Sequence, residues 1–342
     1  MPGARLAAVA DVAPERCAGF AAPALPAAEL VALPSVDAVV IATPHLSHLP
    51  LAEQALLAGR HVLVEKPLGV ETGACDEVLA TYGGLGADRP LFGVVHDHRA
   101  DPRFRWLQAL LKRGELGRVE RVVWQATAYF RTEAYYAESP WRGSFLREGG
   151  GLLVNQAPHL FDTLLWLFGA PRRALGVCRF GRFHEIEVED DVTAHFDFSS
   201  GMTALVIAGT GEAPGTSRLE ISADRGRVVL EGDTAVVHRS RESVSSYRRR
   251  EASGRPRMEV ERVVFAEETR TGTLLLQNFA AAIRGEARLF APAEQARGAV
   301  ELANAVLWSS LCERPIELPL DIAGFRRVHA ELAHGAGRAN SG

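Results

Sequence analysis

The most informative segment for the fold is His61-Val62-Leu63-Val64-Glu65-Lys66-Pro67-Leu68. Its short run of mostly β-branched apolar residues is typical of a parallel strand that is buried on both faces. The charged pair Glu65-Lys66 stands where that strand would end. Because the carboxyl ends of strands in open α/β sheets face the ligand crevice, the segment predicts a parallel sheet with functional side chains at its edge.

Lys66 is one of only two lysines in the chain, beside 36 arginines. An ammonium can lose its proton when it is desolvated, and a guanidinium effectively cannot, so a lysine kept in this background indicates a position where arginine cannot substitute. The alternative is a lysine that pairs with Glu65 and closes the strand. We favour the functional interpretation, because charge at the carboxyl end of a buried strand usually belongs to a site.

Strand and helix patterns alternate on both sides of this segment. Strands are predicted at residues 5–10, 37–42, 62–65 and 91–95, and helices at residues 47–58 and 71–82. Such alternation is typical of a doubly wound parallel sheet. The first part of the chain is therefore predicted to be an α/β domain of the Rossmann type.

The pattern changes from about residue 97, where strands begin to dominate. Helices are predicted at residues 102–113, 151–168, 271–284 and 292–311, and a long strand at residues 118–129. We therefore expect three parts: a dinucleotide-binding Rossmann-like domain over 1–96, an α+β substrate-binding and oligomerisation domain with a large, mostly antiparallel open sheet over 97–334, and a flexible tail over 335–342.

Composition excludes several classes of protein. A formal net charge of −4 argues against a general nucleic-acid or membrane-surface binder. No apolar run reaches the ~18 residues that a membrane-spanning helix needs. The four cysteines are scattered without a C-x-x-C pair, which favours reduced thiols in a cytoplasmic protein.

The glycine-rich loop of dinucleotide-binding folds is missing, since the sequence contains no G-x-G-x-x-G. Yet Asp11 ends the first predicted strand, where such a fold places a carboxylate on the ribose ~20 residues after the glycines. The absent strand would lie in the middle of the sheet. Either the sequence begins ~25–30 residues inside a longer gene product, or the sheet closes in another way, and we favour the first because Asp11 is retained.

A second segment, Gly149–Asp162, opens with three glycines and continues as an apolar helix pattern. Asn155, His159 and Asp162 are spaced four and three residues apart, which predicts that they share one face of the helix. Polar groups aligned on an apolar helix need partners or a cavity. A histidine with a carboxylate behind it and an amide in front has the arrangement of an oriented general base.

Taken together, these motifs resemble the Gfo/Idh/MocA oxidoreductase family, which includes glucose–fructose oxidoreductase and inositol dehydrogenase. The resemblance rests on Ala42-Thr43-Pro44-His45 with His48, on Glu65-Lys66-Pro67, on the triglycine helix with Trp166-Leu167-Phe168-Gly169, and on Arg99 with Gly114-Glu115-Leu116-Gly117-Arg118. The pairing of Glu-Lys-Pro with the triglycine helix is the specific part of this evidence.

The resemblance implies NAD(P)-dependent hydride transfer on a sugar, cyclitol or related polyol. It implies that Lys66 hydrogen-bonds the reacting oxygen and that His159 exchanges its proton. Asn155 stands where many relatives have an aspartate, and a neutral amide can orient a hydroxyl but cannot join a proton relay. The acid–base work would then fall on His159 and Lys66.

The resemblance also assigns a cofactor-facing surface. Asp11 would favour NAD over NADP, because a carboxylate repels a 2′-phosphate. The residues expected to line the cofactor are Thr43, Pro44, His45, His48, Glu65 and Lys66. In this family a cis peptide bond commonly precedes the residue equivalent to Pro67, and we expect one here.

Four further residues are candidates for the substrate side. Arg99 stands at the domain junction, and substrate contact and structural pairing are equally open for it. Tyr135, Trp141 and Arg142 lie in a polar, aromatic loop before the triglycine. Such a loop suits stacking on a sugar or nicotinamide, or else packing on a neighbouring subunit.

Two other classes of function remain open. His96 and His98 on one face of a strand, with the acidic run that follows His184, suggest a metal-dependent hydrolase or lyase, but no third ligand is specified and Arg99 would repel a cation. A cofactor-free sensor or pseudoenzyme is supported only by the missing glycine loop. Apolar residues on outward positions of the second sheet predict a homodimer or homotetramer.

Overall fold

The structure of the chain, a computed structural model, describes residues 3–266 and 270–339, with side chains described as far as residue 333. Its helices are α1 (Ala27–Ala32), α2 (His48–Leu57), α3 (Thr72–Gly84), α4 (Pro102–Lys112), α5 (Glu133–Ala137), α6 (Leu152–Asn155), α7 (Pro158–Phe168), α8 (Val244–Arg250), α9 (Thr271–Ile283), α10 (Ala293–Cys312) and α11 (Ile322–Ala339). Its strands are β1 (Ala38–Ile41), β2 (His61–Val64), β3 (Phe92–Val94), β4 (Val119–Ala126), β5 (Arg173–Phe180), β6 (Glu189–Asp197), β7 (Thr203–Gly209), β8 (Ser217–Ala223), β9 (Gly226–Glu231), β10 (Thr234–Ser240), β11 (Met258–Val264) and β12 (Ile316–Glu317).

The first sheet is parallel, with the strand order β1-β2-β3. The predicted strand around Lys66 is its central strand, and Val62 and Val64 are completely buried. A strand that is buried on both faces explains why its sequence is a continuous apolar run. The predicted parallel α/β arrangement is confirmed.

The predicted first strand, residues 5–10, is not formed. Val9 makes a single parallel bridge with Ala24, and β1 pairs only with β2. Within the described residues no strand pairs with the outer edge of β1, where Val40 is 54% exposed. An extended segment becomes a strand only when a neighbour satisfies its backbone groups, and residues 5–10 have no such neighbour apart from that one bridge.

The second sheet has nine strands in the order β11-β10-β9-β8-β4-β7-β6-β5-β12. All neighbours are antiparallel except β4 and β7, which agrees with the predicted large, mostly antiparallel sheet. Helices α7 and α10 pack together, and α10 lies along β5. Leu160 and Leu164 of α7 and Phe196 of β6 are at most 1% exposed in this core.

Helix α10 connects the two sheets. Ala293, Ala296 and Val300 pack into the core of the first sheet, while later residues of the same helix pack into the second core. The amide oxygen of Asn304 accepts hydrogen bonds from the backbone and hydroxyl of Thr72 at 2.9 and 2.7 Å. These contacts fix the first sheet against the second domain, so a site between them has defined walls.

The single helix predicted over residues 151–168 is divided into α6 and α7. Pro158 stands at the break, because proline lacks the N–H that would continue the hydrogen-bond ladder and is tolerated in a first turn. At the other end of the chain, α11 includes residues 335–339 of the predicted tail, and residues 340–342 lie outside the described residues. Within the described residues, none of the helices combines the length and the apolar character of a membrane-spanning segment.

Candidate active site

The candidate site lies where the carboxyl end of β2 meets α6. Lys66 follows β2, and a cis peptide bond joins it to Pro67, as expected. Its ammonium donates to the backbone oxygen of Asn155 at 2.6 Å and lies 3.4 Å from the side-chain oxygen of the same residue. Burial lowers the pKa of Lys66, against the opposing charges of Glu65, Glu148 and Asp97.

Asn155 ends α6 and is oriented from both sides. While its oxygens face Lys66, its Nδ2 donates to Glu148 Oε1 at 2.5 Å and lies 3.4 Å from the Tyr135 hydroxyl. Glu148 is 2% exposed, and burial raises the pKa of its carboxyl to about 7. The sequence prediction that Asn155 and Lys66 meet in one site is therefore consistent with the structure.

His159 stands in the first turn of α7, and its Nδ1 lies 3.0 Å from Asp97 Oδ1. The approach is close but does not follow the direction of an in-line hydrogen bond. Burial acts to raise the pKa of Asp97, but contact with His159 outweighs it and lowers that pKa. The side chains of His159 and Asp97 are 16% and 40% exposed, so both can meet a ligand.

The expectation that Asp162 orients His159 is wrong. Asp162 is completely buried and accepts two hydrogen bonds from Arg99, at 2.8 and 2.7 Å. Arg99 also donates to Phe290 O and to Gln295. Asp162 keeps its helical spacing from His159 within α7, but Arg99 binds its carboxylate at the domain junction, and Asp97 takes the place beside His159.

The hydrogen bonds between Arg99 and Asp162 also correct the interpretation of Arg99 as a substrate contact. Its guanidinium is held by Asp162, Phe290 and Gln295, and the residue is only 2% exposed. The alternative of structural pairing is the one the structure supports.

The cofactor-facing residues divide into two groups. Thr43 and Pro44 are exposed just beyond β1, and Asp11 is exposed on the preceding segment. His48 is 1% exposed, and its two ring nitrogens lie 2.7 Å from the backbone oxygens of Pro67 and Thr43. His48 therefore ties these two turns together, which corrects the expectation that it lines a cofactor.

His45 is also largely buried. Its Nδ1 lies 3.3 Å from the backbone oxygen of Glu148, and its ring meets the edge of Trp141 with centroids 5.3 Å apart. Burial lowers the pKa of His45 to about 3, so the ring is neutral. His45 therefore has little exposed surface that could contact a cofactor. Its main contacts are with Glu148 and Trp141 of the second domain.

The aromatic loop lies over the site. The Arg142 guanidinium stacks 4.0 Å from the centroid of the Tyr135 ring and donates to the Tyr135 backbone oxygen. Tyr135 and Trp141 approach Asn155 and His45 respectively. Tyr135, Trp141 and Arg142 are thus brought to the site together and are partly exposed there.

The triglycine allows the close approach that assembles the site. A Cβ on Gly149 would stand 2.6 Å from the Val70 Cβ, and a Cβ on Gly151 would stand 2.2 Å from the backbone oxygen of Glu189. The backbone amides of Gly151 and Leu153 donate to Glu189 Oε1. The glycines therefore let α6 start against β6 and place the preceding Glu148 beside Asn155.

The histidines weighed as metal ligands have other contacts. The His98 ring stacks on Phe104 with centroids 4.1 Å apart, and its Nδ1 lies 2.9 Å from the Thr163 hydroxyl. His96 is buried near Asp162, which Arg99 already occupies. Among the described residues no group of three or more His, Cys, Asp or Glu side chains is placed to hold a metal ion.

Sequence reasoning missed the roles of Glu148 and Asp97. Glu148 is a carboxylate placed directly before three glycines. Asp97 lies between the two histidines weighed as metal ligands. Their neighbours in the sequence, three glycines after Glu148 and a histidine on either side of Asp97, are the signal that points to both.

A dinucleotide fits part of this surface. Exposed Thr43 and Pro44 beside Lys66 suit the nicotinamide end, and the exposed Asp11 carboxylate suits a ribose hydroxyl. The described residues contain no glycine-rich turn between a strand and a helix to hold the diphosphate. The fit therefore covers the two ends of the cofactor and leaves its diphosphate without an assigned contact.

Comparison with known proteins agrees with this architecture. Residues 2–86 match the sequence model of the oxidoreductase family with an NAD-binding Rossmann fold, and residues 104–229 match the model of the GFO/IDH/MocA C-terminal domain. These matches together include more than half of the chain. The chain belongs to the Gfo/Idh/MocA oxidoreductase family.

Individual relatives match over shorter stretches. The chain is 37% identical over 141 residues to the uncharacterized oxidoreductase YdgJ of Escherichia coli, which covers 40% of this chain and 38% of YdgJ. It is 31% identical over 173 residues to inositol 2-dehydrogenase 2 of Saccharopolyspora erythraea, covering 49% of this chain and 47% of that enzyme. These alignments thus span less than half of each relative.

A solved structure shows the same fold over nearly the whole chain. It is the WlbA dehydrogenase of Bordetella pertussis in complex with NADH and UDP-GlcNAcA, with a TM-score of 0.75 and 24% sequence identity. The superposition covers 92% of this chain and 91% of WlbA. At this identity the likeness establishes the arrangement of the two domains and not a shared substrate.

Proposed function

We propose that this chain is an NAD-dependent oxidoreductase that interconverts a hydroxyl group of a sugar, cyclitol or related polyol and the corresponding carbonyl. The observation that supports the proposal is that Lys66 contacts Asn155 at the end of α6, and His159, four residues further along the chain, contacts Asp97. Asp97 connects them, since it contacts His159 and its charge acts on Lys66. This is the arrangement needed to hold a hydroxyl and exchange its proton.

In this proposal the chain binds and orients the hydroxyl. The Lys66 ammonium donates a hydrogen bond to the reacting oxygen and stabilises the charge that develops there. The His159 imidazole takes the hydroxyl proton during oxidation and returns it during reduction, and Asp97 holds the ring. A bound nicotinamide cofactor would supply the redox chemistry, with NAD as the hydride acceptor in oxidation and NADH as the hydride donor in reduction.

Support for a polyol substrate comes from the polar, aromatic walls. The partly exposed Tyr135 and Trp141 rings offer flat apolar faces, and Arg142 and Asn155 offer polar groups beside them. The similarity to an inositol 2-dehydrogenase also favours a polyol. NAD is favoured over NADP because the exposed Asp11 carboxylate would repel a 2′-phosphate.

The experiment that tests the proposal is a screen of cyclitols, aldoses and uronic acids with NAD and NADP, followed by nicotinamide absorbance. We expect turnover with NAD, lost in both Lys66→Ala and His159→Ala while each variant stays folded. Turnover that survives both substitutions would contradict the proposed roles. Ligand binding without turnover on any substrate would favour the sensor interpretation.

We also propose that the chain forms a homodimer or homotetramer through its large sheet and acts in the cytoplasm. The sheet carries exposed apolar side chains on β5 and β11, including Leu175, Val177, Val260 and Val264. All four cysteines are free thiols. Light scattering on the purified protein would measure its molar mass in solution. A monomer at micromolar concentration would contradict the proposed homodimer or homotetramer.

A further inference from the structure

The site contains a buried carboxyl group for which the proposed reaction has no use. Glu148 accepts hydrogen bonds on both oxygens: Oε1 from Asn155 Nδ2 at 2.5 Å and Oε2 from the Gly143 backbone amide at 2.6 Å. Both contacts suit the ionised carboxylate, which only accepts. Above its pKa of about 7, Glu148 therefore places negative charge directly behind Asn155.

Asn155 lies between this carboxylate and Lys66. Its Nδ2 faces Glu148, so its Oδ1 must face the Lys66 ammonium, and that separation is 3.4 Å. The backbone oxygen of Asn155 accepts from the same ammonium at 2.6 Å. The direction of the hydrogen bonds thus runs from Lys66 through the amide to Glu148, and reversing the amide would set an NH₂ group against the ammonium.

We propose that Glu148 is a positioning residue, which acts through Asn155 to hold the Lys66 ammonium in place and to set its proton affinity. The inference rests on the proposed function only for its catalytic consequence. In this proposal Glu148 and Asn155 together hold the Lys66 ammonium, as a carboxylate at position 155 would do alone. The negative charge stays in the site but stands one residue further from the reacting oxygen.

This arrangement explains why residue 155 is an amide. An aspartate there would bring a second carboxylate to within hydrogen-bonding distance of Glu148, and two such close groups would share one proton because they cannot both be ionised. With asparagine the pair carries one negative charge and every polar contact is satisfied. Residues 148 and 155 are therefore coupled: a carboxylate at either position fits, and carboxylates at both do not.

Other charges act on the same groups. Glu65 and Asp97 also favour the charged form of Lys66, and Arg131 opposes it. Glu189 and Arg142 act on Glu148 with opposite signs. None of these groups donates to or accepts from the Asn155 side chain among the described contacts, so substitution at 148 is the change that reports on the connection through the amide.

The test measures the titration of Lys66 directly, from pH 7.5 upward, where Glu148 is ionised. Protein labelled with ¹³C at the lysine Cε gives two side-chain signals, because Lys66 and Lys112 are the only lysines. Lys112 is exposed and serves as the internal reference, and Lys66→Ala assigns the signals. The measurement needs neither cofactor nor substrate, so its outcome is independent of whether the proposed function is correct.

We expect Glu148→Gln to lower the pKa of Lys66 by about 1 unit, because an opposing charge is removed and a glutamine cannot accept from both donors. The matched control is Glu189→Gln, which neutralises a second buried carboxylate beside the triglycine without touching Asn155. The control should leave the Lys66 titration unchanged. Equal Lys66 titrations in the two variants would overturn the proposal.

The reciprocal variant Glu148→Gln/Asn155→Asp provides the second arm, even if the single variant folds poorly. The introduced glutamine would accept from Gly143 and donate to the introduced aspartate, which would accept from Lys66, so the donors and acceptors match again. We expect the Lys66 pKa to return to the wild-type value or above it. A double variant that titrates like Glu148→Gln would overturn the proposal, and so would Asn155→Asp alone behaving as wild type.

If the enzyme turns over a polyol, the pH profile of kcat/KM provides a consequence that a merely structural role would not produce. Its limb that depends on Lys66 should move with the measured Lys66 pKa in Glu148→Gln and move back in the reciprocal variant. If the measured Lys66 pKa shifts but the pH profile of kcat/KM does not, the proposed catalytic role of Lys66 would be wrong. The positioning role of Glu148 would still stand.

Discussion

Two side-chain pairs that involve α7 differ in exposure and in the number of contacts they make. The pair Arg99–Asp162 is 2% and 0% exposed, is bidentate, and has further partners at the domain junction. The pair His159–Asp97, one turn away along the helix, is 16% and 40% exposed and makes a single close contact. Neighbouring polar residues on one helix can therefore differ in role: Asp162 is a fixed support, and His159 remains accessible for the proton exchange that we propose.

The largest expected effect is on the buried pair. Asp162→Ala should lower the free energy of unfolding by about 3–5 kcal/mol, because it leaves the Arg99 charge buried without its partner. Urea denaturation measures this change in the free energy of unfolding. The control is Glu286→Ala, which removes the partner of Arg284 from an exposed pair and should leave the free energy of unfolding nearly unchanged. Equal losses in the two variants would mean that Asp162 is not a support.

The next effect concerns the reactive group. His159→Ala should lower kcat/KM by roughly 10²–10⁴-fold, since it removes the proposed general base. Its free energy of unfolding should change by less than ~1 kcal/mol, in contrast to Asp162→Ala. Steady-state kinetics on the polyol found by the screen give the first number. The exposed His195, replaced by alanine, is the control and should keep full activity.

The buried carboxyl of Glu148 predicts a dependence of stability on pH. Its pKa is raised from 4.5 to about 7 in the folded protein, so between these values the folded state holds a proton that the unfolded state has released. The contribution of Glu148 to the free energy of unfolding is therefore fully present below about pH 4.5. It falls by about 3 kcal/mol as the pH rises to 7. Urea denaturation from pH 4.5 to 8 measures it.

The control for this prediction is Glu148→Gln, which should show a shallower fall across the same pH range. Glu189, whose pKa burial also raises to about 7, contributes a second part that remains in that variant. Identical slopes for the wild type and Glu148→Gln would show that Glu148 ionises in the folded protein as it does in the unfolded chain.

The smallest effect separates orientation from proton transfer. Asp97→Asn should lower kcat by about tenfold with little change in KM, because the imidazole keeps its position on α7 and loses only the carboxylate that holds it. The same steady-state assay measures it. A loss as large as that of His159→Ala would mean that Asp97 itself takes part in the proton transfer.

Much of this arrangement follows from short stretches of sequence. The apolar run before Lys66 is sufficient to predict a buried parallel strand with a charged end, and the triglycine predicts a tight entry to a helix. The meeting of Lys66 with Asn155 follows from the family resemblance, and the structure places the two in contact at 2.6 Å.

The parts that were predicted wrongly depend on tertiary partners. Helical spacing placed Asp162 behind His159 on α7, but Arg99, from another part of the chain, binds both oxygens of the carboxylate. The predicted strand at residues 5–10 makes only one bridge, between Val9 and Ala24, among the residues that the structure describes. The positions of Glu148 and Asp97 come from loops that meet only after the domains pack, and no periodicity in the sequence encodes such a meeting.

The most direct test of the account is a calorimetric titration of NADH into the chain, with Lys66→Ala and Asp11→Ala titrated in parallel. We predict micromolar binding that Lys66→Ala retains, weaker discrimination against NADPH in Asp11→Ala, and catalytic loss confined to the Lys66 variant. A well-folded protein that binds no NADH would contradict the account, because the site would then hold a hydroxyl with no acceptor for its hydride.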